Sequence, residues 1–209
     1  CSSDLAKIGD RPVPFMSVMT NEADLIRRMG VTVIPISPAE VSRRAKEIVE
    51  KKAEDFLSYY NDLTARMNTD AMREELVEIA AATKLALSEL MRENDCSVGA
   101  FECWSAFPSL IGVCPCVALG EMADEGYPLA CEADVNGAIT LAILRACSLY
   151  EKPPFLADLT IRNPIHDNSE LLWHCGPFPY SLKAEDSPAA LVDGQERFRM
   201  KIGRASCRE

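Results

Sequence analysis

The sequence predicts an α/β protein: an open parallel sheet with helices on both faces, Rossmann-like, followed by the start of a β-rich C-terminal unit. Three observations carry that prediction. Short apolar or β-branched runs alternate with longer segments of helical period as far as about residue 157. The runs are apolar nearly throughout, as strands covered on both faces are. After Asp158 the alternation stops, and Pro164, Pro177, Pro179 and Pro188 punctuate a stretch without a long helix. The expected boundary places residues 1–159 in the α/β unit and 160–209 in a truncated β-rich unit.

The elements follow in order. Residues 1–14 are polar and read as the middle of a longer protein. Phe15–Met19 is a short apolar strand or loop. Asn21 caps a helix to Met29, with Glu22 and Asp24 in its first turn and Gly30 as its stop. Val31–Ile36 is a β-branched strand. Ser37-Pro38 opens a helix predicted to reach about Tyr60, with Val41, Ala45, Ile48, Val49, Ala53, Phe56 and Leu57 on one stripe. A second long helix is expected over about Thr69–Glu93. Ser97–Phe101 is a strand, Pro115–Asp124 a helix, and Tyr127–Cys131 a strand. A helix runs from Asp134 or Val135 to Leu149. Phe155–Ala157 is the next strand, and Glu170–Trp173 another.

Composition narrows the function classes. The chain has 209 residues, of which 48% are hydrophobic and 26% charged, which is ordinary for a globular protein. Its net charge of −10 argues against nucleic acid or an anionic membrane as partner. No apolar run reaches the roughly 18 residues of a spanning helix. Nine cysteines, an odd count scattered through apolar segments, do not form a disulfide framework. They read as small buried hydrophobes, and a reducing, cytoplasmic location is expected. Cys1 in place of Met suggests a fragment, and Lys201–Glu209 lacks any helix or strand period and reads as non-native residues.

One acid stands at a strand–helix junction. In A-C-E-A-D-V-N-G, residues 130–137, Glu132 ends a strand where a helix begins. That edge of an open α/β sheet is where ligands bind. Asp158 lies 26 positions on, after one helix and one strand, and His174 a further 16, after another strand. Two carboxylates and one imidazole make an oxygen-rich donor set that suits Mn²⁺ or another divalent cation. A cation holding adjacent carbonyl and hydroxyl oxygens acidifies the neighbouring C–H, and a carboxylate can then move the proton between C1 and C2. That is aldose–ketose isomerisation through an enediol.

The motifs A-C-E-A-D-V-N-G-A, P-F-L-A-D and L-W-H-C-G resemble the L-fucose/L-arabinose isomerase family. E-C-W at 102–104, G-V-C-P-C at 112–116 and the opening R-P-V-P-F-M-S-V-M-T-N-E resemble its fucose-isomerase-like branch. The resemblance covers about residues 8–181 and is most specific over 127–176. It implies that Glu132 and Asp158 bind Mn²⁺ and act as the acid/base pair, and that His174 is a neighbouring ligand. In the fucose branch a His ligand lies farther along the chain, beyond this sequence. The resemblance also implies a sugar substrate, a homo-oligomer, and a chain spanning the second α/β domain and the start of the third.

Other residues have plainer readings. Asp134 is the expected cap of the helix after Glu132. Asn136 could bind a sugar hydroxyl or cap that helix. Trp104 could stack on a sugar ring or fill an interface. His166 sits in a turn-rich loop. Cys114 and Cys116, spaced C-P-C, match no zinc or redox motif and are expected in the core. Gly137 is expected to permit close packing. The alternative to an enzyme is a sugar-binding α/β domain without turnover or metal.

Overall fold

The computed structural model describes residues 4–104, 106–166 and 168–193. In chain order its elements are β1 (Asp4–Ile8), α1 (Glu22–Met29), β2 (Thr32–Ile36), α2 (Pro38–Lys51), α3 (Glu54–Arg66) and β3 (Asn68–Ala71). Then come α4 (Glu74–Glu93), β4 (Val98–Phe101), α5 (Ala106–Ile111), α6 (Cys116–Asp124), β5 (Leu129–Ala130) and α7 (Val135–Cys147). The last are β6 (Asp158–Arg162), β7 (Glu170–Trp173) and β8 (Ala190–Val192).

Four strands form a parallel sheet in the order β2-β1-β4-β5. The period of two sorts their side chains onto two cores. Ala6, Ile8, Phe101 and Leu129 face a large cluster built with α2, α3, α4 and α6. Leu5, Val98, Ala100 and Ala130 face a smaller one with Val135, Ala138 and Leu141 of α7 and Leu25 of α1. Helices thus cover both faces, as the apolar runs predict. Among the described residues no helix is long and apolar enough to cross a membrane.

The elements differ from the sequence reading in six places. Asp4–Ile8, inside the segment read as polar, is an inner strand, because its period-two pattern leaves Leu5, Ala6 and Ile8 fully buried. The expected helix from Pro38 to Tyr60 is two helices. Lys52 turns left-handed at φ 44° and caps α2. The charges there, Lys51 at one end and Glu54-Asp55 at the next start, suit a helix C-terminus followed by an N-terminus. The second long helix starts at Glu74, since Asn68–Ala71 is a strand paired in parallel with Ala190–Val192. Ala106–Ile111 is a helix that no pattern announced. Phe15–Met19 holds a single 3₁₀ turn at Met16–Val18.

The sixth difference bears on the site. Phe155–Ala157 is not a strand. It follows Pro153-Pro154, which lack N–H donors and suit a strand poorly. β6 begins at Asp158, and it pairs antiparallel with β7 as a separate hairpin. The expected crossover from Tyr127–Cys131 to Phe155–Ala157 within one sheet is therefore absent. The expectation for Lys201–Glu209 lies outside the described residues.

Beyond the hairpin the chain runs along α6. Positions 116, 120 and 124 share one face of that helix. Gly176 sits over Cys116, the Phe178 backbone over Gly120, and Ser181 donates to the Asp124 carboxylate from its backbone N–H (3.1 Å) and its hydroxyl. Tyr180 donates to the Arg66 carbonyl at 3.4 Å, and the Arg66 guanidinium lies 4.7 Å from the Tyr180 ring centroid.

Candidate functional site

The carboxyl edge of the parallel sheet carries three clusters of polar groups. β1 leads into Gly9, Asp10 and Arg11, β4 into Glu102, and β5 into Glu132. β1 lies between β2, which follows it in sequence, and β4, so the strand order reverses there. Ligands bind at such reversals in open α/β sheets.

Glu102 holds that reversal together. Its carboxylate accepts the Asp10 N–H at 3.2 Å and the Ala106 N–H at 2.9 Å, tying the β1 loop to the start of α5. Gly9 is required beside it: φ is +80°, and a Cβ there would lie 2.3 Å from Glu102 Oε2. Glu102 is a structural tether, which sequence reasoning missed because the partners are backbone groups far along the chain.

β5 is only two residues long, and the chain then enters a tight turn. Glu132 (φ 64°, ψ 20°) and Ala133 (φ 52°) both adopt the left-handed conformation. Non-glycine residues rarely do so, and such strain concentrates at functional sites. Asp134 caps α7, accepting the Gly137 N–H at 2.9 Å, as expected. A Cβ at Gly137 would lie 2.7 Å from the Asp134 carboxylate, so the cap needs glycine there.

Glu132, Asp158 and His174 share one electrostatic neighbourhood although they lie on different sheets. Burial pushes the Glu132 carboxyl above its usual value; His174 opposes that shift, and Asp158 adds to it. Burial works against the charged form of His174, yet Cys175, Asp158 and Glu132 outweigh it and raise its pKa. His174 is 3% exposed. Its Nδ1 accepts the Cys175 N–H at 2.8 Å. Among the described residues, no three Asp, Glu, His or Cys side chains converge closely enough to hold a metal ion. The three predicted ligands therefore share a field without meeting at a point.

The remaining candidates separate. Trp104 is half exposed and packs on Phe15, ring centroids 5.5 Å apart, at the rim of the β1 loop. Asn136 is exposed in the first turn of α7, and the cap is Asp134. His166 sits in a turn: its N–H reaches the Asn163 side chain, and its carbonyl accepts from Ser169.

Beside the β5 turn lies a cleft of about 190 Å³ lined by Lys7, Asp10, Arg11, Val18, Met19, Thr20, Glu22, Ala133 and Val135. Lys7 is paired with Glu22 at 3.2 Å. Arg11 spends one nitrogen on the carbonyls of Pro12 and Val13, at 3.2 and 2.8 Å. The Thr20 hydroxyl is the one buried side-chain polar atom among the described residues with no hydrogen-bond partner. Arg11, Val18, Met19, Thr20 and Glu22 of its lining fall within the R-P-V-P-F-M-S-V-M-T-N-E motif, but the sequence alone did not mark them as a cleft.

Comparison with known proteins adds a direction. No protein-family model matches the chain. It is 28% identical over 188 residues to a protein named sulfoquinovose isomerase from Alkalicoccus urumqiensis, covering 90% of this chain and 41% of that protein. Proteins of the same name from Priestia megaterium and a Clostridium species match at 26% identity, over 84% and 90% of this chain and 38% and 41% of their own lengths. The chain spans about two fifths of the length of these curated relatives. Their name is that of an isomerase for a sugar other than L-fucose or L-arabinose.

Proposed function

We propose that the chain is the acid/base portion of an aldose–ketose isomerase acting on a sugar, with a sulfonated hexose such as sulfoquinovose as the first candidate. The observation that carries this reading is Glu132, a half-buried carboxyl with a raised pKa on a strained turn, in the field of Asp158 and His174. The similarity to the sulfoquinovose isomerases supports the same direction.

A carboxyl whose pKa is raised holds a proton more readily than an ordinary one and so suits a group that takes up and returns a proton. Glu132 would take the proton from C2 of the aldose and return it to C1. Asp158, exposed at the start of β6, adds to the upward shift of the Glu132 carboxyl and would favour its holding the transferred proton. His174, whose Nδ1 accepts the Cys175 N–H, would donate from Nε2 to the developing enediol oxygen. Glu132, Asp158 and His174 are donor types that would suit Mn²⁺ or another divalent cation, although the three do not converge on one point in this structure. Such a cation, when bound, would polarise the sugar carbonyl.

The cleft next to Ala133 would take the rest of the sugar. Arg11 has N–H groups beyond those bound to carbonyls, and the Thr20 hydroxyl is a donor in need of an acceptor. Together they suit the sulfonate. A reducing compartment such as the cytoplasm fits the free cysteines among the described residues.

The test is Glu132→Gln in the full chain, assayed for aldose–ketose interconversion and for solvent deuterium entering C2. Expected is a loss of at least 10³-fold in both, with unchanged circular dichroism and sugar affinity. Wild-type-like exchange in the variant would exclude the proton role. A wild-type chain that binds sugar but never exchanges C2 hydrogen would favour a binding domain without turnover.

A further inference from the structure

Trp104 stands at the carboxyl edge of the sheet with much of its ring in solvent. It is 41% exposed, whereas Phe101 and Phe107, three residues to either side, are fully buried. The chain is pinned on both sides of it. The Glu102 carboxylate accepts the Ala106 N–H at 2.9 Å and the Asp10 N–H of the β1 loop at 3.2 Å. The indole is thus carried on a fixed turn, and it packs on Phe15 with ring centroids 5.5 Å apart at an interplanar angle of 52°. That contact covers part of the ring. Of the roughly 250 Å² of a Trp side chain, about 100 Å² stays open to solvent.

Strand register places this ring near Glu132. Ala100 and Ala130 are partners on adjacent parallel strands, and both face the α1–α7 side of the sheet. Glu102 and Glu132 each follow two residues later, so they leave the sheet side by side. Trp104 comes two residues after Glu102, and chain reach puts it roughly 10 Å from Glu132. Phe15 belongs to the loop between β1 and α1, and the same loop gives the cleft Arg11, Val18, Met19 and Thr20. The ring, the cleft and Glu132 therefore border one stretch of the edge.

The loop holds its shape without the indole. Asp10 is tied to Glu102, the Phe15 N–H reaches the Pro12 carbonyl at 2.9 Å, and the Arg11 guanidinium donates to the carbonyls of Pro12 and Val13. Bracing the loop is thus no reason for a large aromatic ring at position 104. We infer that Trp104, backed by Phe15, is a binding platform for the apolar C–H face of a sugar ring. The negative π-face of the indole attracts the polarised C–H bonds, and stacking takes apolar surface of both partners out of water.

This inference rests on the reading of the edge as a sugar site, and it separates two tasks there. A closed pyranose has a flat C–H face, which the open chain that isomerises does not keep. The platform therefore captures the closed ring, and the acid/base groups act after it has opened. Loss of the indole weakens binding and raises KM, with little change in kcat. Stacking needs an aromatic face, so phenylalanine can replace tryptophan and leucine cannot.

The test is titration of the full chain, labelled with fluorotryptophan, with sulfoquinovose. The Trp104 fluorine resonance is identified by its loss in Trp104→Phe and its persistence in Trp173→Phe. Expected is a saturable shift of that resonance. Expected too is a Kd raised roughly 10-fold in Trp104→Leu but within about threefold of wild type in Trp104→Phe, with kcat within about threefold in both. A Trp104 resonance unmoved at every sugar concentration would overturn the inference. So would an unchanged Kd in Trp104→Leu, or an equal loss in both variants, which would mark bulk against Phe15 rather than stacking. The two readings fail separately. A Trp104 shift without deuterium entering C2 keeps the platform and removes the isomerase; C2 exchange with the resonance unmoved does the reverse.

Discussion

Gly120→Ala tests whether the segment after His174 is seated on α6 as described. A Cβ at Gly120 would stand 2.4 Å from the Phe178 carbonyl oxygen and 2.9 Å from its carbon. Carbon–oxygen contacts settle at roughly 3.3 Å, so the segment must retreat by about 0.9 Å. Both offending atoms are backbone, so no rotamer change relieves the clash. Overpacking of this severity costs about 3 kcal/mol, the upper part of the usual range. Against it, alanine is about 1 kcal/mol better than glycine inside a helix. The balance is a loss of about 2 kcal/mol, or about 4–8 °C in Tm for a chain of this size. Thermal denaturation of wild type and variant, followed by circular dichroism, reads it directly. The alkylation rate of Cys116 should also rise as Gly176 lifts away from it. If Tm instead rises by the few degrees that helix propensity alone would give, the Phe178 backbone does not lie on Gly120 and the docking is wrong.

Three further outcomes are expected. Asp134→Ala removes the cap on the Gly137 N–H and should cost about 1 kcal/mol in urea denaturation, whereas Asp134→Asn should cost much less. Glu132 binds its proton more tightly in the folded state than in the unfolded one, so stability falls as pH rises from the ordinary carboxylate range through the folded pKa. Glu132→Gln removes that loss, and in chelator it should be more stable than wild type at neutral pH but not in acid; equal pH profiles by denaturant titration would contradict the burial argument. Arg11→Met should raise KM for a sulfonated sugar roughly 10- to 100-fold, the worth of one charge-assisted hydrogen bond, while leaving an unsulfonated analogue unaffected in steady-state kinetics.

The parts of the fold legible in the sequence are those that local chemistry dictates. Asn21 and Gly30 bracket α1, Ser37-Pro38 opens α2, and Asp134 caps α7, because caps depend on residues within a turn of one another. Glu132 stood out for the same reason, as an acid where an apolar run gives way to a helix. What could not be read was long-range. The apolar content of Phe155–Ala157 resembled a strand, and Pro153-Pro154 was the overlooked warning. Lys51 through Asp55 carried a charge reversal that marks a break, but the unbroken apolar stripe obscured it. The pairing of Asn68–Ala71 with Ala190–Val192, the tether from Glu102 to Asp10 and the approach of Gly176 to Cys116 join residues 60 to 122 positions apart. No local pattern encodes such meetings.

The two features that weaken Glu132 energetically point to the same use. A left-handed backbone at a non-glycine residue costs on the order of 1–2 kcal/mol, and Ala133 adds a second instance. Burial of the carboxyl beside another acid raises the cost of ionising it. Glycine at position 132 would relieve the first, and glutamine or leucine the second, without disturbing the Asp134 cap or the Leu129–Ala130 strand. A residue kept only as a helix cap or as core filling would need neither penalty, since Asp134 supplies the cap and Cys131 and Ala133 supply the buried surface. The carboxylate is thus the part of the turn that the fold itself does not require. On the proposed function, its position beside the cleft and in the field of His174 would give that carboxylate a proton to move.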